Sequence, residues 1–407
     1  MELTILKPAP VVAVVELPAP RNPRYLTLDH WRGLACLMIV VVHASHHAKE
    51  DNVDVSSIEK VLLAILWRFG IAVPMFFVIS GYCIAATCDS TRRKTQGPWL
   101  FFYRRFRRIF PPYWIVTLLS LVLVVALTTF GQGSLISEEY GFIPHPATLT
   151  ASQWLGNVTL TEEWRSHLFG GPILKIVGPA WTLCYEEQFY FVCGLLLVLC
   201  PRHFFLGTAA ITVLTLFLCP LGLMRPDLCS IQGLFFDGHW LMFMEGVAVY
   251  YILNYVRSFR VALSVFAGVL AITFALSLRK FAPDASPLAQ VLPWELMGST
   301  LFSIVLLLLH PWDKRWAGSR LLQPLSICGQ MCYSLYLVHW PVSVIMTTAF
   351  HRSGVQGLWP TLLIVTPLTV ACSLIAAWFF HVVVERRFLN SPIVVQQTTT
   401  HSHPICQ

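Results

Sequence analysis

Residues 28–44 read LDHWRGLACLMIVVVHA, and this stretch decides the fold. It is apolar except for Asp29, His30, Arg32 and His43, so it reads as a helix in a non-aqueous setting. Arg32 and His43 are eleven residues apart, close to three full turns at about 100° per residue. They therefore share one face, separated along the axis by roughly 16 Å at about 1.5 Å per residue. An Arg inside a spanning segment costs roughly 2.5–3.5 kcal/mol on insertion scales, and such residues usually face a bundle interior or a wet cavity. That cost asks for a functional reason.

Working outward, the rest of the chain matches this setting. The 407 residues are 56% hydrophobic and 12% charged, with a mean hydropathy of +0.64. A soluble domain carries roughly 25% charged residues, so the chain reads as a polytopic membrane protein. Ten apolar stretches are long enough to span: about 28–47, 61–87, 113–130, 181–200, 204–223, 239–256, 259–278, 295–310, 325–349 and 361–384. The expected fold is an all-α bundle of about ten transmembrane helices with both termini on one side. Alternate loops are unequally basic, with 18 Lys and Arg on the side of the termini and 8 on the other. The positive-inside rule then makes both termini cytoplasmic. The net charge of +7 is thereby a matter of topology rather than of a nucleic-acid partner.

Residues 1–24 read as a flexible cytoplasmic tail without the apolar core of a cleavable signal, and 389–407 as a disordered cytoplasmic tail. Between them, 25–388 reads as one membrane domain. Its longest connection, Gly131 to Pro179 on the expected outer side, is either a lid or acceptor platform, or a poorly ordered connector or interfacial re-entrant piece. The twelve cysteines are scattered through apolar runs with no disulfide framework, and read as small buried hydrophobes.

Several polar groups stand out against this background. His43 suits a general base, because an imidazole titrates near neutral pH. The alternative for such a residue is an interfacial His satisfied by water, and the face shared with Arg32 weighs against it. His43, His46 and His47 are spaced for zinc on a helix, but no Cys or Asp set accompanies them, so no metal is expected. FYRRFRRIFPP at 102–112 places Arg105 and Arg108 one turn apart beside Arg104, at the entrance of the third helix. Guanidinium forks bind phosphates, though clustered Arg also serves topology or anionic lipid. AWTLCYEEQFYF at 180–191 offers Glu186 and Glu187 with Trp181, Tyr185 and Gln188, to orient His43, to bind sugar hydroxyls, or to pair with Arg elsewhere. His339 is a further polar group in an apolar helix, and Arg68 reads as a snorkelling side chain.

Together, LDHWRGLACLMIVVVHA (28–44), VPMFFVISGYCI (73–84), FYRRFRRIFPPYW (102–114), AWTLCYEEQFYF (180–191) and CYSLYLVHWPV (332–342) resemble the acyltransferase family 3 membrane proteins, in order and over nearly the whole chain. That resemblance implies a ten-helix membrane O-acyltransferase, most often an O-acetyltransferase, acting on carbohydrates and related acceptors of the cell envelope. It makes His43 the base, Arg32 its Arg partner, and Arg105 and Arg108 the donor-handling motif. Glu186, Glu187 and Gln188 fall on the family's acidic segment, where Thr182 stands for the usual Ser. His30 replaces a common Gly, and HVVVERRF lacks a common Pro; neither touches a proposed catalytic position.

The implied site is thus catalytic His43, Arg32, Glu186 and Glu187, with Arg104, Arg105 and Arg108 holding the co-substrate. Gln188, Tyr185, Trp181 and His339 would meet the acceptor. Acetyl-CoA or another acyl-CoA is the implied donor and a carbohydrate or glycolipid the acceptor, at the plasma (inner) membrane. Many family members carry an extra outer domain after the last helix; here about 20 residues follow it, so a separate periplasmic partner is conceivable. A transporter or flippase of a polar or lipid-linked substrate is the rival reading, since intramembrane charges also mark permeation paths.

Overall fold

The computed structural model describes residues 19–21, 24–46, 56–93, 97–136, 143–224, 232–256, 258–277 and 287–389. His47, the Glu138–Glu139 pair and most of both expected tails lie outside them. The described chain is helical throughout: α1 Leu28–Ala44, α2 Ser57–Arg68, α3 Ala72–Arg93, α4 Pro98–Thr129, α5 Ala151–Thr159, α6 Glu162–Phe169 and α7 Trp181–Leu199. There follow α8 Phe204–Met224, α9 His239–Tyr255, α10 Phe259–Ser277, α11 Pro287–Leu309, α12 Gln323–Gln330, α13 Cys332–Arg352 and α14 Leu358–Phe388.

Among the described residues six helical stretches are long and apolar enough to cross a membrane: Ser57–Arg93, Pro98–Thr129, Gly178–Leu199, Pro201–Leu221, Val291–Ala317 and Leu358–Phe388. The other expected spans are helical too, but α1 and α9 have 17 residues each, and Phe259–Ala271 is a shorter apolar helix. The outward faces match a lipid solvent. On α8, Leu206, Val213, Leu214, Leu216, Phe217 and Leu221 are all exposed, a stripe that water would penalise.

The helices that carry the site approach one another at small residues. A Cβ on Gly81 of α3 would lie 1.9 Å from the Phe243 carbonyl oxygen, and one on Gly246 of α9 would lie 1.9 Å from that of Val78. The same device joins α1 to α12, where a Cβ on Gly33 would sit 2.0 Å from the Leu325 oxygen and one on Gly329 would sit 1.7 Å from the Asp29 oxygen. In lipid no hydrophobic drive pulls helices together, so close backbone approach is what holds them. Around the α3–α9 seam Phe77, Phe189, Trp240 and Phe243 form the buried aromatic centre. The start of α1 is fixed from a distance. Asp313 accepts from the backbone N–H groups of Leu26 (2.7 Å) and Thr27 (2.9 Å) and from the Thr27 hydroxyl (2.8 Å), a carboxylate at a helix N-terminus.

Two sequence expectations gain detail. The third span's helix, α4, begins at Pro98, ahead of the apolar run, so the basic stretch at 102–112 lies on its first turns. Pro111 and Pro112 lie inside that helix and lack the N–H groups that would bond the Arg107 and Arg108 carbonyls, four residues back. The described part of the long connection, 143–179, carries two short helices and a buried ion pair. Glu162 (1% exposed) accepts from Arg165 Nε at 2.7 Å and Nη2 at 2.8 Å, and Arg165 also donates to the Gly170 and Pro172 carbonyls. Bonding to Glu162 holds the Arg165 guanidinium above the ordinary arginine range. Asn157 closes the segment by donating to Leu174 O and accepting from Ile176 N–H.

Candidate active site

Arg32 and His43 open into two adjoining cavities. The larger, about 880 Å³ and open to solvent, is lined by Arg32, Cys83, Arg105, Arg108, Tyr333 and Glu385 among others. The second, about 510 Å³, contains His43 with Ile39, Val73, Phe77, Pro179 and Trp181. Phe76, Ser80, Thr182, Glu186 and Tyr336 line both, so one wall of polar side chains lies between the arginine level and the histidine level.

That wall is hydrogen-bonded throughout. Ser80 Oγ donates to Glu186 Oε1 at 2.6 Å, and the Tyr190 hydroxyl donates to the same oxygen in a short bond. The Thr182 and Tyr336 hydroxyls are 2.8 Å apart, and both reach the Pro179 carbonyl at the start of α7. Arg32 Nη1 donates to Asp29 Oδ1 at 2.8 Å, one turn back, while Nη2 lies 2.9 Å from Cys83 Sγ. Arg105 is held over the Tyr190 ring at 4.9 Å and donates to the Thr87 hydroxyl at 3.2 Å. His43 packs between two rings of α13, with His339 at 5.3 Å and Trp340 edge-on at 5.2 Å.

The other candidates fall outside the cavities. Arg104 lines a third pocket, with Arg24, Asp89, Arg93 and the Thr87, Ser90 and Thr91 hydroxyls. Glu187 lines neither cavity, and its buried Oε1 has no hydrogen-bond partner among the described residues. His339 is fully buried behind His43; its Nδ1 lies 2.9 Å from the Leu335 carbonyl. Tyr185 and Gln188 are engaged elsewhere. The Tyr185 hydroxyl donates to Asp237 Oδ2 at 2.5 Å, and its ring stacks on His239 at 4.2 Å. Gln188 Nε2 donates to Gly233 O, and its Oε1 accepts from Phe235 N–H at 2.8 Å. These two side chains stitch α7 to the loop before α9.

Sequence reading missed Ser80 and Tyr336, although both lie in segments singled out at 73–84 and 332–342. A hydroxyl in an apolar helix gives no sign, in one dimension, of which cavity it enters. Among the described residues no group of three or more His, Cys, Asp or Glu is placed to hold a metal ion.

Buried guanidinium, carboxylate and imidazole groups beside cavities in a helical bundle with apolar outward faces mark a functional site within a membrane-embedded protein. Its family follows from the sequence as a whole: residues 25–378 match the acyltransferase 3 family model, an acyltransferase domain, and the chain belongs to that family. It is similar to the acyltransferase MdmB of Streptomyces mycarofaciens, 26% identical over 41% of this chain and 38% of that protein. It is also similar to BcsY of Komagataeibacter xylinus, whose name assigns a membrane-bound transacylase, at 25% over 80% of this chain and 74% of BcsY. The O-acetyltransferase OatA of Staphylococcus aureus is 24% identical over 91% of this chain. The chain spans 58% of OatA's length. No solved structure matches the chain significantly.

Proposed function

We propose that this protein is a membrane O-acetyltransferase that takes an acyl group from cytoplasmic acyl-CoA and delivers it to a hydroxyl of an envelope or exported carbohydrate. The observation that carries the reading is the shared wall: Ser80, Thr182, Glu186 and Tyr336 line both the arginine cleft and the His43 cavity. An arm threaded from one to the other brings a thioester to the imidazole while its charged end stays among the guanidinium groups.

In this scheme Arg105 and Arg108 hold the donor's phosphates, with Arg104 as a further cation. Roughly 16 Å separates Arg32 from His43 along α1, so a carbonyl attacked beside His43 is out of reach of Arg32. Arg32 is therefore assigned to the arm rather than to the oxyanion. His43 removes the proton from the acceptor hydroxyl, the oxygen attacks the thioester carbonyl, the carbon–sulfur bond breaks, and CoA leaves as its thiol with that proton. Glu186, held by Ser80 and Tyr190, offsets the charge of the imidazolium. Trp181 offers a flat apolar face for a sugar ring. His339 and Trp340 fix the orientation of the His43 ring, and Glu187, Tyr185 and Gln188 support α7. The ten-span topology, with both termini cytoplasmic and α5–α6 on the outer side, is part of the same proposal and rests on the bias of basic loops.

The test is purified protein in sealed liposomes with radiolabelled acetyl-CoA and an envelope polysaccharide, following thiol release and acceptor labelling. Both should occur in the wild type and be lost in His43→Ala. Folded wild type that moves the acceptor across the membrane but releases no thiol, over several acyl donors, would instead establish transport.

A further inference from the structure

Glu385 lies in the second π-helical turn of α14, His381–Glu385, beyond the residues the family model matches. It is 2% exposed yet lines the same cleft as Arg32, Arg105 and Arg108. Its two oxygens are used unequally. Oε2 accepts from Ser334 Oγ at 2.5 Å and from His381 Nδ1 at 2.7 Å, whereas Oε1 accepts from no group among the described residues. The carboxyl is thus clamped by one oxygen from α13 and α14, and the other remains for whatever occupies the cleft. An ionised carboxylate oxygen only accepts, so this one suits a ligand N–H or O–H that enters the cleft.

Resting on the acyl-CoA reading above, we propose that Glu385 is a donor-recognition residue whose Oε1 accepts an amide N–H of the pantetheine arm. A carboxylate offers only acceptors, and the polar donors of that arm are its amide N–H groups and one hydroxyl. The phosphates of the same molecule are repelled by it and drawn to Arg105 and Arg108. Glu385 therefore sets the register of the donor: phosphates on one side of it, thioester on the other. Ser334 acts through Glu385 as a positioning residue.

The experiment compares two fragments of the donor as inhibitors of acetyl-CoA consumption: free pantetheine and adenosine 3′,5′-bisphosphate. Glu385→Ala should weaken inhibition by pantetheine about tenfold, the loss of one hydrogen bond to the ligand, and leave the nucleotide unaffected. Arg108→Ala should do the reverse. Ser334→Ala, which touches neither fragment, should weaken pantetheine alone by about threefold, and it carries the comparison by itself where Glu385→Ala is not recovered folded. Equal losses for both fragments would mean a merely structural carboxylate and overturn the assignment. So would unchanged pantetheine inhibition in the two variants, or a wild type that pantetheine does not inhibit. A wild type that consumes no acyl-CoA at all fails the preceding reading instead, and the two failures are distinguishable.

Discussion

Ser80 holds little more than one hydrogen bond, yet the division between the two cavities runs through it. Its hydroxyl bonds the Glu186 oxygen that also receives Tyr190. Ser80→Ala should lower kcat about tenfold with the donor KM unchanged, the effect of loosening one charge-assisted bond beside the imidazole. Steady-state kinetics read it directly; a shift in KM alone would place Ser80 in donor binding. His43→Ala should cost on the order of 10²–10⁴ in rate, the usual worth of a general base, with donor binding retained. Arg165 tests the long connection independently of catalysis. Arg165→Ala leaves Glu162 buried without its cation, at a cost of about 3–5 kcal/mol, so limited proteolysis should cut within 143–177 first. Of the charged residues picked out from sequence, Arg32, Arg105, Arg108, Glu186 and His43 line the two cavities, whereas Glu187 and Arg104 do not. Tyr185 and Gln188 were chosen only as neighbours of Glu186, and at about 100° per residue they point elsewhere, Tyr185 to Asp237 and Gln188 to the backbone of Gly233 and Phe235.

At the scale of elements the determining features are places where backbones touch. Gly246→Ala must push the Val78 carbonyl away from a contact of 1.9 Å, whereas a Cβ on Gly268 of α10 meets nothing within 4 Å. The first variant should lower the melting temperature in detergent and the second should leave it unchanged, with overpacking of this kind costing about 1–3 kcal/mol. Equal melting temperatures would show that α3 and α9 separate freely. Helix existence was legible from apolar runs, since long apolar segments in lipid have no other way to satisfy their backbone. Helix limits were less so. The apolar run of the third span starts near residue 113, but its helix begins at Pro98, because the arginines of 104–108 interrupt the apolar pattern without interrupting the helix.

For the whole molecule the central expectation is sidedness. In sealed vesicles with the termini inside, acetyl-CoA trapped in the lumen should label an external polysaccharide, while external acetyl-CoA should not; the reverse pattern would invert the topology. Composition and the order of five motifs by themselves determined a helical membrane protein of the acyltransferase 3 family and the charged residues worth examining, because burying charge in an apolar chain is costly enough to be visible in one dimension. Which of those charges meet was decided only in three dimensions. Ser80 and Glu186 are 106 positions apart, and Ser334 and Glu385 are 51 apart. Their pairing depends on helix rotation and on glycine-to-backbone contacts, which apolar periodicity does not encode when lipid and protein interior are equally apolar.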